Sequence, residues 1–380
     1  MPAVAVIATG AAIAVSQMPI AQASPALPAR TPAQLLAEVN SDAKVPPLTG
    51  TVVETTSLGL PQLPQVANPT SLSSLLTGSH TLKVYYENPR HFRLAVPQSL
   101  SETDVIRDGN TLWQWDSSRN AVTEYTWPKG ALNQSAKQLK HKLSTGPVLT
   151  PQQAAQELLA AVGKTTTVTV QTNVLVAGEP AYQLVLAPKD SRSLIGQVVI
   201  AIDGKYGVPL RVQVFARGAT SPAFQVGFTQ ISFVSPAPAN LQFTPPPGAT
   251  VTVHHLGAGG DVAKSGAGGL PSAAGFGTYG SGWLTVAEIP QSALNQAIGI
   301  GAQGGKPAPG TTPSGLGALG GDSAAVLQAL MLAAKPVHGA WGSGTLLTTS
   351  MMSMLITHGE IYVGAVKPSV LYAAAGHPAG

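Results

Sequence analysis

The stretch DGNTLWQWDSSRNAVTEY, residues 108–125, decides how the chain is read. Trp113 and Trp115 stand two apart, and a strand carries residues at that spacing on one face. Asp116, Ser117, Ser118, Arg119 and Asn120 form a polar turn, and an alternating stretch resumes after it. The chain has only five Trp, so two on one strand face need a reason. They fill an ordinary core, or they line a surface that holds something apolar.

Working outward, residues 49–58, 81–87, 91–96 and 101–108 read as strands before the Trp strand. Residues 165–178, 180–188, 193–203, 208–217 and 223–233 read as strands after it, with Gly and Pro at the joints. Short strands with turns every 8–12 residues predict a meandering antiparallel sheet. YQLVLA and LIGQVVIAI are apolar on both faces, as strands are when both sides of a sheet are covered. Two helices are expected in this part. One starts at Thr31–Pro32 and carries the stripe Leu35, Leu36, Val39; the other spans 150–163. Residues 59–80 read as a long loop rich in Leu, Pro and Ser. Two helices hide little of some ten strands, so the sheet is expected to curl on itself or to leave an apolar hollow.

Gly, Ala and Ser at 256–275 mark a linker. After it come a strand at 281–289, helical stretches from 290 and from 322, and strands over 338–366 with a turn at Thr357–Glu360. At the other end, residues 2–29 carry no charge, and Ala21–Gln22–Ala23 precedes Ser24 as a small-x-small cleavage site would. A secretory signal peptide or N-terminal membrane anchor is expected at 1–29, and with it an extracytoplasmic location, either secreted or anchored to the outer face of the cytoplasmic membrane. No later segment approaches the ~20 apolar residues of a spanning helix.

Chemistry is sparse. With no Cys, the chain has no disulfide, thiolate metal site or thiol nucleophile. Charged residues are only 10% and the formal net charge is +4, with no basic run of the kind nucleic acid requires. No metalloprotease or nucleophile-elbow motif occurs. Gly299, Gly301 and Gly304 match a dinucleotide fingerprint as a string, but follow a helix and not a strand. His254 and His255 point to opposite strand faces and make a poor chelate. Glu102, Asp104 and Asp108 share one face, read as solvated. The expectation is a non-enzyme with no cofactor, no metal and no nucleic-acid partner.

The residues that carry a resemblance are Pro89, Phe92–Arg93, Asp108–Gly109, Leu112–Trp113, Trp115, Asp116, Asn120 and Val122. On these, residues 31 to about 253 resemble the LolA/LolB family of periplasmic lipoprotein carriers and the related RseB/MucB N-terminal domain. Few Lys and much Ala, Gly and Pro suggest an actinobacterial member with a C-terminal extension. The resemblance implies a mainly β (α+β) fold. A strongly curved antiparallel sheet forms a half-open β-barrel with helices as a lid over 30–255, the lipid-binding domain. The linker and a small α+β module over 276–375 follow.

In that picture Phe92, Leu94, Val96, Trp113 and Trp115 wall the hollow, or are plain core. Leu35, Leu36 and Val39 belong to the lid. LolA places an Arg before the Pro as a latch; here that residue is Asn88, so Arg90 or Arg93 is the candidate replacement. The implied function is binding or carriage of acyl chains of lipid or lipoprotein. The alternative is an RseB-like sensor acting on a membrane anti-sigma factor through residues 276–372.

Overall fold

The computed structural model describes residues 27–32, 34–35, 45–58, 77–128, 165–256, 277–292, 334–357 and 359–376. The expected helices at 150–163 and from 322, nearly all of the linker, and Leu36 and Val39 lie outside the described residues.

Six strands form a first meander: β1 (Leu48–Ser57), β2 (Thr77–Asn88), β3 (His91–Pro97), β4 (Glu102–Asp108), β5 (Thr111–Asp116) and β6 (Ala121–Thr126). A second comprises β7 (Thr166–Val176), β8 (Glu179–Pro188), β9 (Ile195–Asp203), β10 (Pro209–Ala216) and β11 (Phe224–Ser232). β1 pairs antiparallel with β11 and joins the two. β12 (Thr250–His255) then pairs parallel with β6 at the far edge. The result is one twelve-stranded sheet in the order β12-β6-β5-β4-β3-β2-β1-β11-β10-β9-β8-β7. Residues 77–80, expected in the long loop, extend β2 instead.

Local chemistry accounts for the turns. The β7–β8 hairpin turns on Ala177 and Gly178, both at positive φ (52° and 89°), a two-residue turn whose twist matches the strands it joins. At Gly50, a Cβ would lie 2.7 Å from the Gln230 carbonyl and 2.8 Å from the Phe228 ring, so β1 and β11 approach closely only because no side chain is there.

The second sheet has the order β13-β14-β18-β17-β16-β15. Its strands are β13 (Gly277–Tyr279), β14 (Val286–Pro290), β15 (Lys335–Gly339), β16 (Gly342–Thr348), β17 (Ser353–Ile356) and β18 (Glu360–Gly364). Helix α1 (Pro368–Gly376), not foreseen, packs Val370, Leu371 and Ala374 against this sheet around Val286, Leu355 and Tyr362.

The half-open barrel with a helical lid is not what forms. The large sheet is open, with β12 and β7 as free edges. Among the described residues the one complete α-helix, α1, belongs to the second sheet. The expectation failed because it weighed only helices as cover. One face of the large sheet carries Leu82, Val84, Val52, Val226, Val212, Ile200 and Leu184, and the segments that connect the elements of the second sheet pack Trp283, Met351 and Ala365 onto that same core. From the N-terminal side come Leu27 and the fully buried Leu35. Leu35 is set by a short helical turn whose start is boxed: Thr31 N–H donates to Gln34 Oε1 at 2.8 Å and Gln34 N–H to Thr31 Oγ1 at 3.3 Å.

Candidate functional site

Register decides which side chains share a face. Leu94 pairs with Val84 and Val105, and Val105 with Gln114. Phe92 pairs with Arg107, and Arg107 with Leu112. Phe92, Leu94 and Val96 therefore stand on the apolar face, with Leu112. Trp113 pairs with Ile106 and Trp115 with Asp104, and Ile106 pairs with Arg93. Both tryptophans thus stand on the opposite face, with Arg93. The structure does not bring the five wall candidates together: three face one way and two the other. The signal lay in the Gly109–Asn110 turn, whose two residues set Asp108 opposite Thr111 and so fix the parity.

On the apolar face, Leu94 and Val96 are half-buried at the border of the main core. Phe92 belongs with Val105 and Tyr125 to a satellite cluster around Leu112, Trp127 and Leu256. Arg107 lies over the Trp127 ring at 5.8 Å and donates from Nε to the Gly109 carbonyl at 3.4 Å. Its burial, helped by the neighbouring Arg90 charge, pulls the guanidinium below its ordinary pKa.

The other face is partly roofed by its own chain. Residues 233–249 lead from β11, in the middle of the sheet, to β12 at its edge, across the strands between. Phe243 in this strap sits 5.9 Å from Trp113 and 6.1 Å from Trp115, centroid to centroid, with both rings tilted against it. Trp113 also donates from Nε1 to Glu124 Oε2 at 3.3 Å. No local sequence signal paired Phe243 with the indoles, because it lies more than a hundred residues from them.

Beside the indoles lies an ion-pair cluster. Arg93 Nη2 donates to Glu102 Oε1 at 3.0 Å and to Asp104 Oδ2. The Asp104 side chain is fully buried, not solvated as the alternation suggested. Burial raises its pKa to about 7; the Arg93 charge opposes the rise and the Glu102 carboxylate adds to it. Of the latch candidates, Arg93 is engaged by these carboxylates, and Arg90 is exposed in the β2–β3 turn. Asp108, on the same strand, keeps to solvent beside His91 at 3.3 Å.

A shallow depression of about 320 Å³ adjoins this cluster, lined by Thr49, Thr51, Lys83, Tyr85, Gln230 and Ser232 among others. Its lining offers hydroxyls, amides and one ammonium, with no carboxylate or imidazole to serve as a base. Among the described residues no group of three or more His, Asp or Glu is placed to hold a metal ion. His254 stacks on Tyr125 at 5.3 Å while His255 bonds Thr126 Oγ1 at 2.7 Å, on opposite faces of β12. No helix of the described residues is long and apolar enough to cross a membrane.

The two sheets are keyed together by backbone and side chain. Leu194 N–H donates to the Ala365 carbonyl at 2.9 Å and Lys367 N–H to the Arg192 carbonyl at 2.8 Å. Ser193 bridges Val366 between them. Trp283 Nε1 donates to Thr166 Oγ1 at 2.6 Å, and Ser350 donates from N–H and from Oγ to the Leu58 carbonyl, at 3.0 Å in each case.

No protein-family model matches the chain, and no curated protein matches it. Solved structures do. The chain is similar, at 14% identity, to the MucA/MucB complex structure of Pseudomonas aeruginosa, over 90% of this chain and 95% of that one, with a TM-score of 0.39. An uncharacterised conserved protein of Thermus thermophilus matches at 13% identity over 59% and 97% of the two chains, TM-score 0.30. A LolA superfamily protein of Nitrosomonas europaea matches at 11% over 57% and 99%, TM-score 0.21. What stands is structural similarity, at low identity, to LolA-type and MucB-type proteins.

Proposed function

We propose that the chain is a non-enzymatic, extracytoplasmic binding protein of the regulatory kind. A membrane protein such as an anti-sigma factor docks through residues 276–372, and an apolar ligand on the large sheet alters that docking. The observation that supports this reading is the shared core. Trp283, Met351 and Ala365 of the C-terminal part pack on the same cluster that Leu94 and Val96 border. Anything apolar that displaces side chains along β3 is thereby felt by the second sheet, as close-packed interiors transmit strain. Simple carriage of acyl chains is the second reading, supported by the half-buried Phe92, Leu94 and Val96.

Native mass spectrometry of the full chain after gentle membrane extraction tests both. One membrane protein bound to the wild type and lost in Trp283→Ala, with the fold intact by circular dichroism, supports the regulatory reading. Acyl species bound without a protein partner support carriage. Turnover of a lipid substrate, abolished by one polar substitution, overturns both.

A further inference from the structure

Among the described residues the two sheets have four edges, and three are protected. On β7 the register breaks between Gln171 and Val174, and Trp283 is bonded to Thr166 on the same strand. β13 is only three residues long. β15 carries Lys335 and Pro336. Bulges, brevity, Lys and Pro are the usual means by which an edge is kept from pairing with another chain. β12 has none of them. Its sequence, TVTVHH, has no Lys, Pro or Gly and holds unbroken register with β6 over six residues. Five of the six are exposed; Val251 and Val253 stand at 42% and 47%.

The ladder shows which groups are open. Thr250 N–H donates to the Asn120 carbonyl and Leu256 N–H to the Thr126 carbonyl, both at 2.9 Å. In a parallel pair the bonding residues alternate, so Thr250, Thr252 and His254 serve β6. Val251, Val253 and His255 turn their N–H and C=O groups outward.

We infer that this edge pairs with β12 of a second copy of the chain, antiparallel about Val253. The outward residues form an odd set centred on Val253, so a two-fold axis sets Val253 against its own counterpart. Val251 then meets His255 of the other copy, and Thr252 meets His254. The strand contains no acidic or Lys/Arg residue, so no fixed like charges meet, and β-branched side chains oppose one another or a histidine. The outward groups can then exchange two backbone bonds per pair. A formal net charge of +4 over 380 residues adds little repulsion between copies. One strand edge buries less than the ~1,200 Å² of a stable interface, so the dimer is a concentration-dependent one.

The chain has no Cys, which allows a clean test with the purified full chain. Directly opposed residues with exchanged bonds have Cα atoms about 5.5 Å apart, within disulfide reach. V253C is expected to form a symmetric disulfide dimer on mild oxidation. A mixture of V251C and H255C is expected to give the mixed dimer in preference to either like pair. L175C, on the protected edge β7, is expected to give none. By sedimentation equilibrium the wild type is expected to show a monomer–dimer equilibrium that Val253→Lys weakens by about tenfold or more. Val253→Pro, which removes an N–H that β6 does not use, is expected to weaken it with circular dichroism unchanged. A wild type that stays monomeric up to its solubility limit overturns the inference. So does a dimer that survives both Val253 variants, or cross-linking that favours L175C.

Discussion

The two halves of the large sheet differ in what they are built to do. Around β8 and β9 both faces are dry: Leu184, Leu186, Val198 and Ile200 are fully buried on one side, and Val185, Val199 and Ala201 are 9%, 7% and 1% exposed on the other. Around β3 to β6 neither face is uniform. One holds the half-buried Phe92, Leu94 and Val96, and the other holds an ion-pair cluster and two indoles under a strap. The first half is a scaffold, because burial on both faces leaves it no surface to change. The second half has apolar and charged groups near the surface, where a ligand or partner can reach them.

The largest expected contrast is between truncations in the two halves. Leu184→Ala or Ile200→Ala is expected to cost about 3–5 kcal/mol in urea unfolding. Leu94→Ala, half-buried, is expected to cost roughly 1–2 kcal/mol. Equal costs would erase the distinction. Next comes the ion-pair cluster. Arg93→Ala leaves a buried carboxylate uncompensated and is expected to cost about 2–3 kcal/mol at pH 8, and less at pH 5, where Asp104 takes up a proton.

The pH dependence has a definite sign. The folded-state pKa of Asp104, about 7, lies above the ordinary 3.8, so the native state binds the extra proton between these values. Its contribution to stability is full below the ordinary value and is lost as pH rises through 7. Asp104→Asn is expected to flatten that slope in melts taken across pH 4 to 8. A smaller effect is expected at the strap. Phe243→Ala should red-shift the tryptophan emission and cost roughly 1–2 kcal/mol, by loss of two aromatic contacts. Smallest is the scaffold hairpin, where Ala177 holds φ at 52°. Ala177→Gly relieves a left-handed non-glycine residue and is expected to stabilise by about 0.5–1 kcal/mol.

Much of the sheet was legible residue by residue. β1, β3 to β6 and β8 to β11 fall where alternation and turn residues put them, within a residue or two. The opposite facing of His254 and His255 followed from period alone. Asp104 was misread because alternation shows which residues share a face, not whether that face is covered. The strap that sets Phe243 over the neighbouring indoles comes from beyond β11. The wall candidates were divided for a related reason. Each strand's period was right, but β3 and β5 are related through two successive registers, and the parity of both decides whether Phe92 and Trp113 meet.

By itself the sequence determined the local elements: strand periods, the helical start at Thr31–Pro32, the turns, and the shortage of catalytic groups. These depend on neighbours along the chain, whose geometry is set by backbone sterics and side-chain type. Only the tertiary structure decided that the sheet stays open, that Trp283, Met351 and Ala365 of the C-terminal part pack onto its apolar core, and that Trp113 and Trp115 turn away from Phe92. Those outcomes depend on which distant surfaces compete to bury the same area, and burial rewards any apolar cover alike, whether helix, ligand or sheet.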